Sequence, residues 1–173
     1  WGLNPGKTPL EVARSETLPP QTTAQDSARQ ANNAHFGLPF IGTTVELDAL
    51  PEPERVLSLK RLSDHGVGWI RQRFDWNLIE PEPGEYDWRS YDAVMQAINE
   101  NNLTAIAVLD GSPTWARQPQ DRLPTDNPLA PPSDPRTFAR FATAFAKRYG
   151  DDVRFYQIWD EPNIAPHWGN QHI

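Results

Sequence analysis

The sequence predicts an α/β fold built on a parallel sheet, and three observations carry the prediction. Stretches rich in β-branched and aromatic residues alternate with helical periods, in the order strand, helix, strand, helix, strand, helix, strand. One of the strands, Leu103 to Leu109, is apolar almost throughout, as a strand covered on both faces should be. Polar residues gather just past strand C-termini: Arg71 and Arg73, then Asp110, then Asp160 and Glu161.

The elements follow in order. Residues 1–33 carry Pro, Gln, Thr, Ser, Asn and Ala with no sustained period, the composition of an extended polar arm or linker. From Ala34 the character changes, and residues 34–173 are expected to form the folded unit. His35 to Gly42, apolar and punctuated by Gly and Pro, predicts a first strand breaking into a loop. Pro53 suits the first turn of a helix whose Val56, Leu57, Leu59 and Leu62 face inward, with Gly66 just past its end. Val67 to Phe74 predicts the second strand, with Trp69, Arg71, Arg73 and Asp75 on one face and Ile70, Gln72, Phe74 and Trp76 on the other. Two arginines on one strand face either reach its solvated end or sit in a polar pocket with acidic partners.

Glu80 to Trp88 is a loop with Pro83-Gly84 at the centre of a turn. Tyr91, Val94, Met95 and Ile98, at i, i+3, i+4 and i+7, mark the buried stripe of the next helix, closed by Asn101-Asn102. The third strand, Leu103 to Leu109, leads into a long Pro- and Asp-rich loop, Asp110 to Ser133, which holds Trp115 and has the length of a functional loop or lid. Asp134 and Pro135 open a third helix with Phe138, Phe141, Ala142, Phe145 and Tyr149 inward and Gly150 as its stop. The last strand, Phe155 to Trp159, reads as buried and is expected to carry Glu161 at its tip, because Pro162 cannot extend a ladder.

Composition excludes several function classes. A net charge of −7 argues against a nucleic-acid or anionic-membrane surface, since both need clustered Lys and Arg. No apolar run approaches a membrane span. Without Cys there is no disulfide, thiolate metal site or cysteine nucleophile, which leaves the compartment open, with an extracellular or cell-envelope setting favoured. His35, His65, His167 and His172 form no His-x-His or His-Glu-x-x-His pattern, and the last two fall in a predicted loop, so no metal or other cofactor is expected. No glycine-rich phosphate fingerprint follows a strand. Several strand ends feeding one polar rim is instead the arrangement at the mouth of a (β/α)₈ barrel.

Three segments carry a resemblance: Trp69-Ile70-Arg71 followed by Trp76; Ile79-Glu80-Pro81 with Gly84-Glu85-Tyr86-Asp87-Trp88; and Ile158-Trp159-Asp160-Glu161-Pro162-Asn163. In this order and on these elements they resemble the N-terminal half of a clan A glycoside hydrolase. The β-xylosidase and α-L-iduronidase type is most similar, the cellulase type more distant. The resemblance implies a (β/α)₈ TIM barrel, of which this chain supplies about the first four strands and three helices. It further implies retaining hydrolysis of O-glycosidic bonds, with Glu161 as acid/base and Arg71 as support for the nucleophile, Arg73 being the alternative. Trp115, in the loop after strand three, stands where the family often has a sugar-stacking aromatic, and Trp168 is a second candidate for that role; Asp160 and Asn163 flank Glu161 as substrate-binding candidates.

Two departures bear on this reading. The family carries Asn where this sequence has Asp160; an ionised Asp accepts hydrogen bonds but cannot donate one to a sugar hydroxyl. A full barrel takes about 250 residues, so the family nucleophile on strand seven is expected beyond Ile173, in a C-terminal half or a partner chain. The alternative to the hydrolase is a non-catalytic, barrel-derived scaffold or carbohydrate-binding accessory subunit.

Overall fold

The computed structural model describes residues 41–121, 129–164 and 167–170. The predicted polar arm, residues 1–33, lies outside the described residues. Four strands form one sheet: β1 (Ile41–Val45), β2 (Val67–Asp75), β3 (Thr104–Asp110) and β4 (Val153–Ile158). Their spatial order is their chain order, and each neighbouring pair is parallel. Between them run α1 (Glu52–Asp64), a single turn α2 (Trp76–Ile79) with α3 (Arg89–Glu100), and α4 (Pro135–Tyr149). Each parallel pairing demands a crossover, and right-handed crossovers without a reversal of strand order put every helix on the same face. A doubly wound sheet would reverse its order at a switch point. The unreversed order is that of the first four strands of a (β/α)₈ barrel.

The core lies between the sheet's helical face and the helices. Ile70 and Phe74 of β2 and Ala105, Ala107 and Leu109 of β3 pack with Leu59, Tyr91, Val94, Met95, Ile98, Phe141 and Phe145. Phe74 sits at its centre, its ring 4.8 Å from that of Phe145 and 5.1 Å from that of Tyr91. Burial of such a side chain contributes roughly 1.5–3 kcal/mol, and each well-placed ring pair adds about 0.5–1.5 kcal/mol. The alternation of β2 is the predicted one, with Ile70, Gln72 and Phe74 buried and Trp69, Arg71 and Arg73 half-buried on the opposite face. Gln72 is tolerated in the core because its Oε1 accepts from the Leu47 N–H and its Nε2 donates to Asp48, each at 2.8 Å.

Local chemistry explains the helix limits. The Asp134 carboxylate accepts from the Arg136 N–H at 2.9 Å, and Pro135 occupies the first turn of α4, where no amide proton is missed. The stripe Tyr91, Val94, Met95 and Ile98 is buried along α3, as its spacing predicts.

Four expectations are corrected. In α1 the inward residues are Arg55, Leu59 and Leu62, whereas Val56 and Leu57 are 40% and 49% exposed. The helical period decides this: Leu59 follows Arg55 by one turn, and Val56 and Leu57 fall beside that stripe. The first strand does not break at Gly42 but continues to Val45, because its pairing with β2 persists to Val45 opposite Gln72; residues 35–40 of the predicted strand lie outside the described ones. The fourth strand is not buried: Phe155, Tyr156 and Ile158 are 49%, 39% and 58% exposed. It is the edge of the sheet, paired with β3 on one side. It also ends three residues before Glu161. Finally, His167 lies not in a loop but in a short strand, β5 (His167–Asn170); His172 lies outside the described residues.

Candidate active site

The register brings the strand ends level. Asp75 at the end of β2 pairs with Asp110 at the end of β3, and Leu109 pairs with Ile158 at the end of β4. On the face turned away from the helices, Arg71, Ile106 and Phe155 form one row and Arg73, Val108 and Gln157 the next. Asp75, Asp110, Asp160 and Glu161 then follow at the carboxyl ends, where parallel β/α folds assemble their sites.

Two charged clusters result. In the first, Arg73 donates from Nε to Asp110 Oδ1 at 2.5 Å, and its Nη2 stands 3.3 Å from Asp75 Oδ2. Asp110 is 1% exposed. Burial pushes its carboxyl up to about 6 against the opposing charge of Arg73, with the charges of Asp75 and Asp160 adding to the rise. Burial likewise raises Asp75, which Arg73 counters. Desolvation pulls the Arg73 guanidinium down, but the charges of Asp75 and Asp110 outweigh it and the net shift is upward. Gly111 makes the packing possible. Its φ is +70°, and a Cβ there would lie 2.5 Å from Asp75 Oδ1 and 3.1 Å from Arg73 Nη2.

The second cluster surrounds the turn that leaves β4. Arg71 donates from Nη2 to Asp160 Oδ1 at 2.6 Å and from Nε to Gln157 Oε1 at 3.0 Å. Gln157 in turn donates from Nε2 to the Trp159 carbonyl at 2.9 Å and to Asp160 Oδ1 at 3.1 Å. Trp159 and Glu161 both adopt left-handed backbone, with φ of 64° and 48°. For residues with a Cβ such conformations cost roughly 1–3 kcal/mol each, and they persist only where surrounding contacts hold them. The buried Trp159 ring supplies one such hold: it packs against Phe138 and Trp168, and its Nε1 donates to the His167 carbonyl at 2.7 Å. This left-handed residue is what stops β4 at Ile158.

The predicted site residues are therefore partly united. Arg71 and Asp160 are an ion pair, so the negative charge that Asp brings in place of Asn is met by a guanidinium. Glu161 follows them with a side chain 54% exposed, its Oε2 3.5 Å from His167 Nε2. Asn163 is exposed in the next turn, and Trp168 is half-buried edge-on to Trp159. Arg73 stands in the other cluster. Trp115 lies further along the rim; its ring is edge-on to Trp76 at 5.6 Å and its Nε1 donates to the Glu80 carbonyl at 3.0 Å, with part of the residue open to solvent.

Sequence reasoning missed Gln157, Glu80 and Gly111. Glu80 is 4% exposed and ties the loop after β2 together, accepting from Trp76 Nε1 at 2.6 Å and from the Gly84 N–H at 2.8 Å. The signal for Gln157 was its position two residues after Phe155 on one strand face; that for Gly111 was its place directly after a strand-end carboxylate.

Comparison with known proteins agrees with this architecture. Residues 51–126 match the family model described as beta-galactosidase, glycoside hydrolase family 42. No curated protein matches the chain. Among solved structures, a family 39 glycoside hydrolase from Bacteroides cellulosilyticus is 22% identical with a TM-score of 0.54, over 71% of this chain and 24% of its own. A monomeric beta-xylosidase from Caulobacter crescentus is 21% identical with a TM-score of 0.55, over 75% of this chain and 29% of its own. An exo-beta-1,4-mannosidase from an Opitutaceae bacterium is 22% identical with a TM-score of 0.55, over 74% of this chain and 26% of its own. The aligned part of this chain thus spans about a quarter of the length of these structures. With the family match on residues 51–126 and a fold shared across four parallel strands, the chain resembles the TIM-barrel glycoside hydrolases of clan A.

Proposed function

We propose that this chain forms the acid/base-bearing half of a retaining glycoside hydrolase acting on O-glycosidic bonds of oligo- or polysaccharides. The observation that carries the reading is the turn after β4, where Glu161 projects into solvent beside the Arg71–Asp160 pair at the carboxyl ends of three parallel strands. In a retaining mechanism one carboxyl group gives a proton to the departing oxygen while a second, about 5 Å away, attacks the anomeric carbon. Glu161 is the proton donor in the first step. In the second it takes the proton of the water that cleaves the glycosyl intermediate, returning to its starting state. The attacking carboxylate comes from the remainder of the barrel. Arg71 holds the charge of Asp160 beside it, and Trp168, Trp115 and Asn163 border the substrate.

The test is hydrolysis of aryl β-galactosides, xylosides and mannosides by the native polypeptide and its Glu161→Gln variant. The variant is expected to lose about 10²–10⁴ in kcat/KM on glycosides with poor leaving groups, and far less on dinitrophenyl glycosides, whose departure needs no proton. Equal turnover of poor-leaving-group substrates by both proteins rejects the assignment of Glu161.

One observation favours a second reading, a sugar-binding scaffold. Asp160 Oδ1 accepts from both Arg71 and Gln157, and a carboxylate has no N–H to offer a sugar hydroxyl. Calorimetric binding of xylo- or gluco-oligosaccharides by a protein that cleaves none of them would establish the scaffold.

A further inference from the structure

We infer that Gln157 is a positioning residue for the turn that presents Glu161, acting through Arg71, Trp159 and Asp160 without touching substrate. The inference rests on the proposed function only for its consequence on turnover. The geometry stands by itself.

One side-chain amide makes three hydrogen bonds. Its oxygen accepts from Arg71 Nε, which aims the Arg71 fork so that Nη2 meets Asp160 at 2.6 Å. Its nitrogen donates to Asp160 Oδ1 and to the carbonyl of Trp159, the residue whose left-handed backbone turns the chain out of β4. The strand, the arginine and the turn are thereby locked to each other from a residue three positions before Asp160.

Only an amide of this length fits. A glutamate offers acceptors alone, so it keeps the bond to Arg71 but loses both donated bonds and sets a carboxylate against Asp160. A methionine keeps the length and loses every bond. An asparagine is one methylene shorter and cannot span from β4 to both the arginine and the turn.

The arrangement gives Gln157→Glu a distinctive behaviour. When the introduced carboxyl is protonated its O–H can donate to Asp160 and restore one lost bond; when it ionises, two carboxylates oppose each other across the same gap. The charged groups around Asp160 are Arg71 from β2, which pairs with it, Asp110 at the end of β3, whose carboxyl feels its charge, and Glu161 next in the turn, itself 3.5 Å from His167 of β5. The titration is therefore read as a difference between the variant and the native protein.

The experiment has two arms on the native polypeptide. In the first, kcat and KM on an aryl glycoside are followed from pH 5 to 8. Gln157→Glu is expected to lose about tenfold or more in kcat relative to the native protein as pH rises, one lost interaction being a tenfold factor near 1.4 kcal/mol, with KM within about twofold. Gln157→Met is expected to show a kcat loss that does not vary with pH. A pH-parallel profile for Gln157→Glu, or native kcat in Gln157→Met, overturns the inference.

The second arm needs no turnover and separates failure of this inference from failure of the hydrolase reading. In the folded protein the two side-chain amide protons of Gln157, assigned by their loss in Gln157→Met, are expected to exchange with solvent about tenfold or more slowly than those of an exposed Gln, since both are donated. Asp160→Ala is expected to release one of them. Free exchange of both in the native protein overturns the inference even if glycosides are hydrolysed. Protection without hydrolysis leaves it standing and removes the enzyme.

Discussion

Asp110 and Gly111 show how much one residue can be asked to do at the end of β3. Asp110 is buried and holds its proton to a pH of about 6, against an ordinary 3.8. A carboxyl whose folded pKa is raised binds protons more tightly in the native state, so its contribution to stability is full below the unfolded value. That contribution is lost as pH rises from about 4 to about 6, and the burial of Asp75 acts in the same direction. Asp110→Asn is expected to flatten this part of the stability profile by on the order of 2–3 kcal/mol, measured as the difference between native and variant urea curves at pH 4 and pH 7. An unchanged difference across that interval would mean that Asp110 is ionised throughout. At the next residue, Gly111→Ala must take a left-handed φ and set a Cβ 2.5 Å from Asp75 Oδ1. The expected cost is about 1–3 kcal/mol, read as a lower urea midpoint with an unchanged slope.

At the scale of elements, helix and strand assignments were legible wherever the periodic pattern was long. The stripe of α3, the cap of α4 and the two faces of β2 all follow from spacing, because burial of one face is decided by the helical or strand repeat. What spacing could not show is which side of a helix meets its neighbours. Val56 and Leu57 share the apolar character of Leu59, yet only Leu59 is fully buried. Leu59→Ala is therefore expected to cost about 2–5 kcal/mol, while Leu57→Ala stays within about 0.5 kcal/mol as long as nothing else covers it. Thermal melts of the two variants decide this directly. The early end of β4 was hidden for a related reason. Trp159 has strong strand character by type, and its left-handed turn is imposed by the packing of its ring on Phe138 and Trp168 and by contacts across the turn.

At the scale of the whole molecule, the sheet ends, among the described residues, in two unlike edges. Ile41 in β1 is 45% exposed; on β4, Tyr156 and Ile158 turn to the helical face beside Leu109, Ala142 and Ala146 in a groove of about 500 Å³, and Phe155 lies exposed on the opposite face. Apolar surface of this kind is costly to leave in water. Under the proposed function, the remainder of the barrel covers this surface. Ile158→Lys should then lower stability there by about 2 kcal/mol or more, and chemical denaturation that shows no loss would mean the face is open to solvent.

By itself the sequence determined the order of the four paired strands and the three long helices, the parallel sheet and the carboxyl-end location of Asp110, Asp160 and Glu161. These rest on local propensity and on periodic burial, which any stretch of chain carries within it. Tertiary structure alone decided the partners: Arg71 with Asp160, Arg73 with Asp110 and Asp75, and Gln157 joining strand to turn. Arg71 and Asp160 are separated by 89 positions in the chain. Their pairing depends on register and on the direction of a turn, and those are set by packing across the sheet that no local pattern encodes.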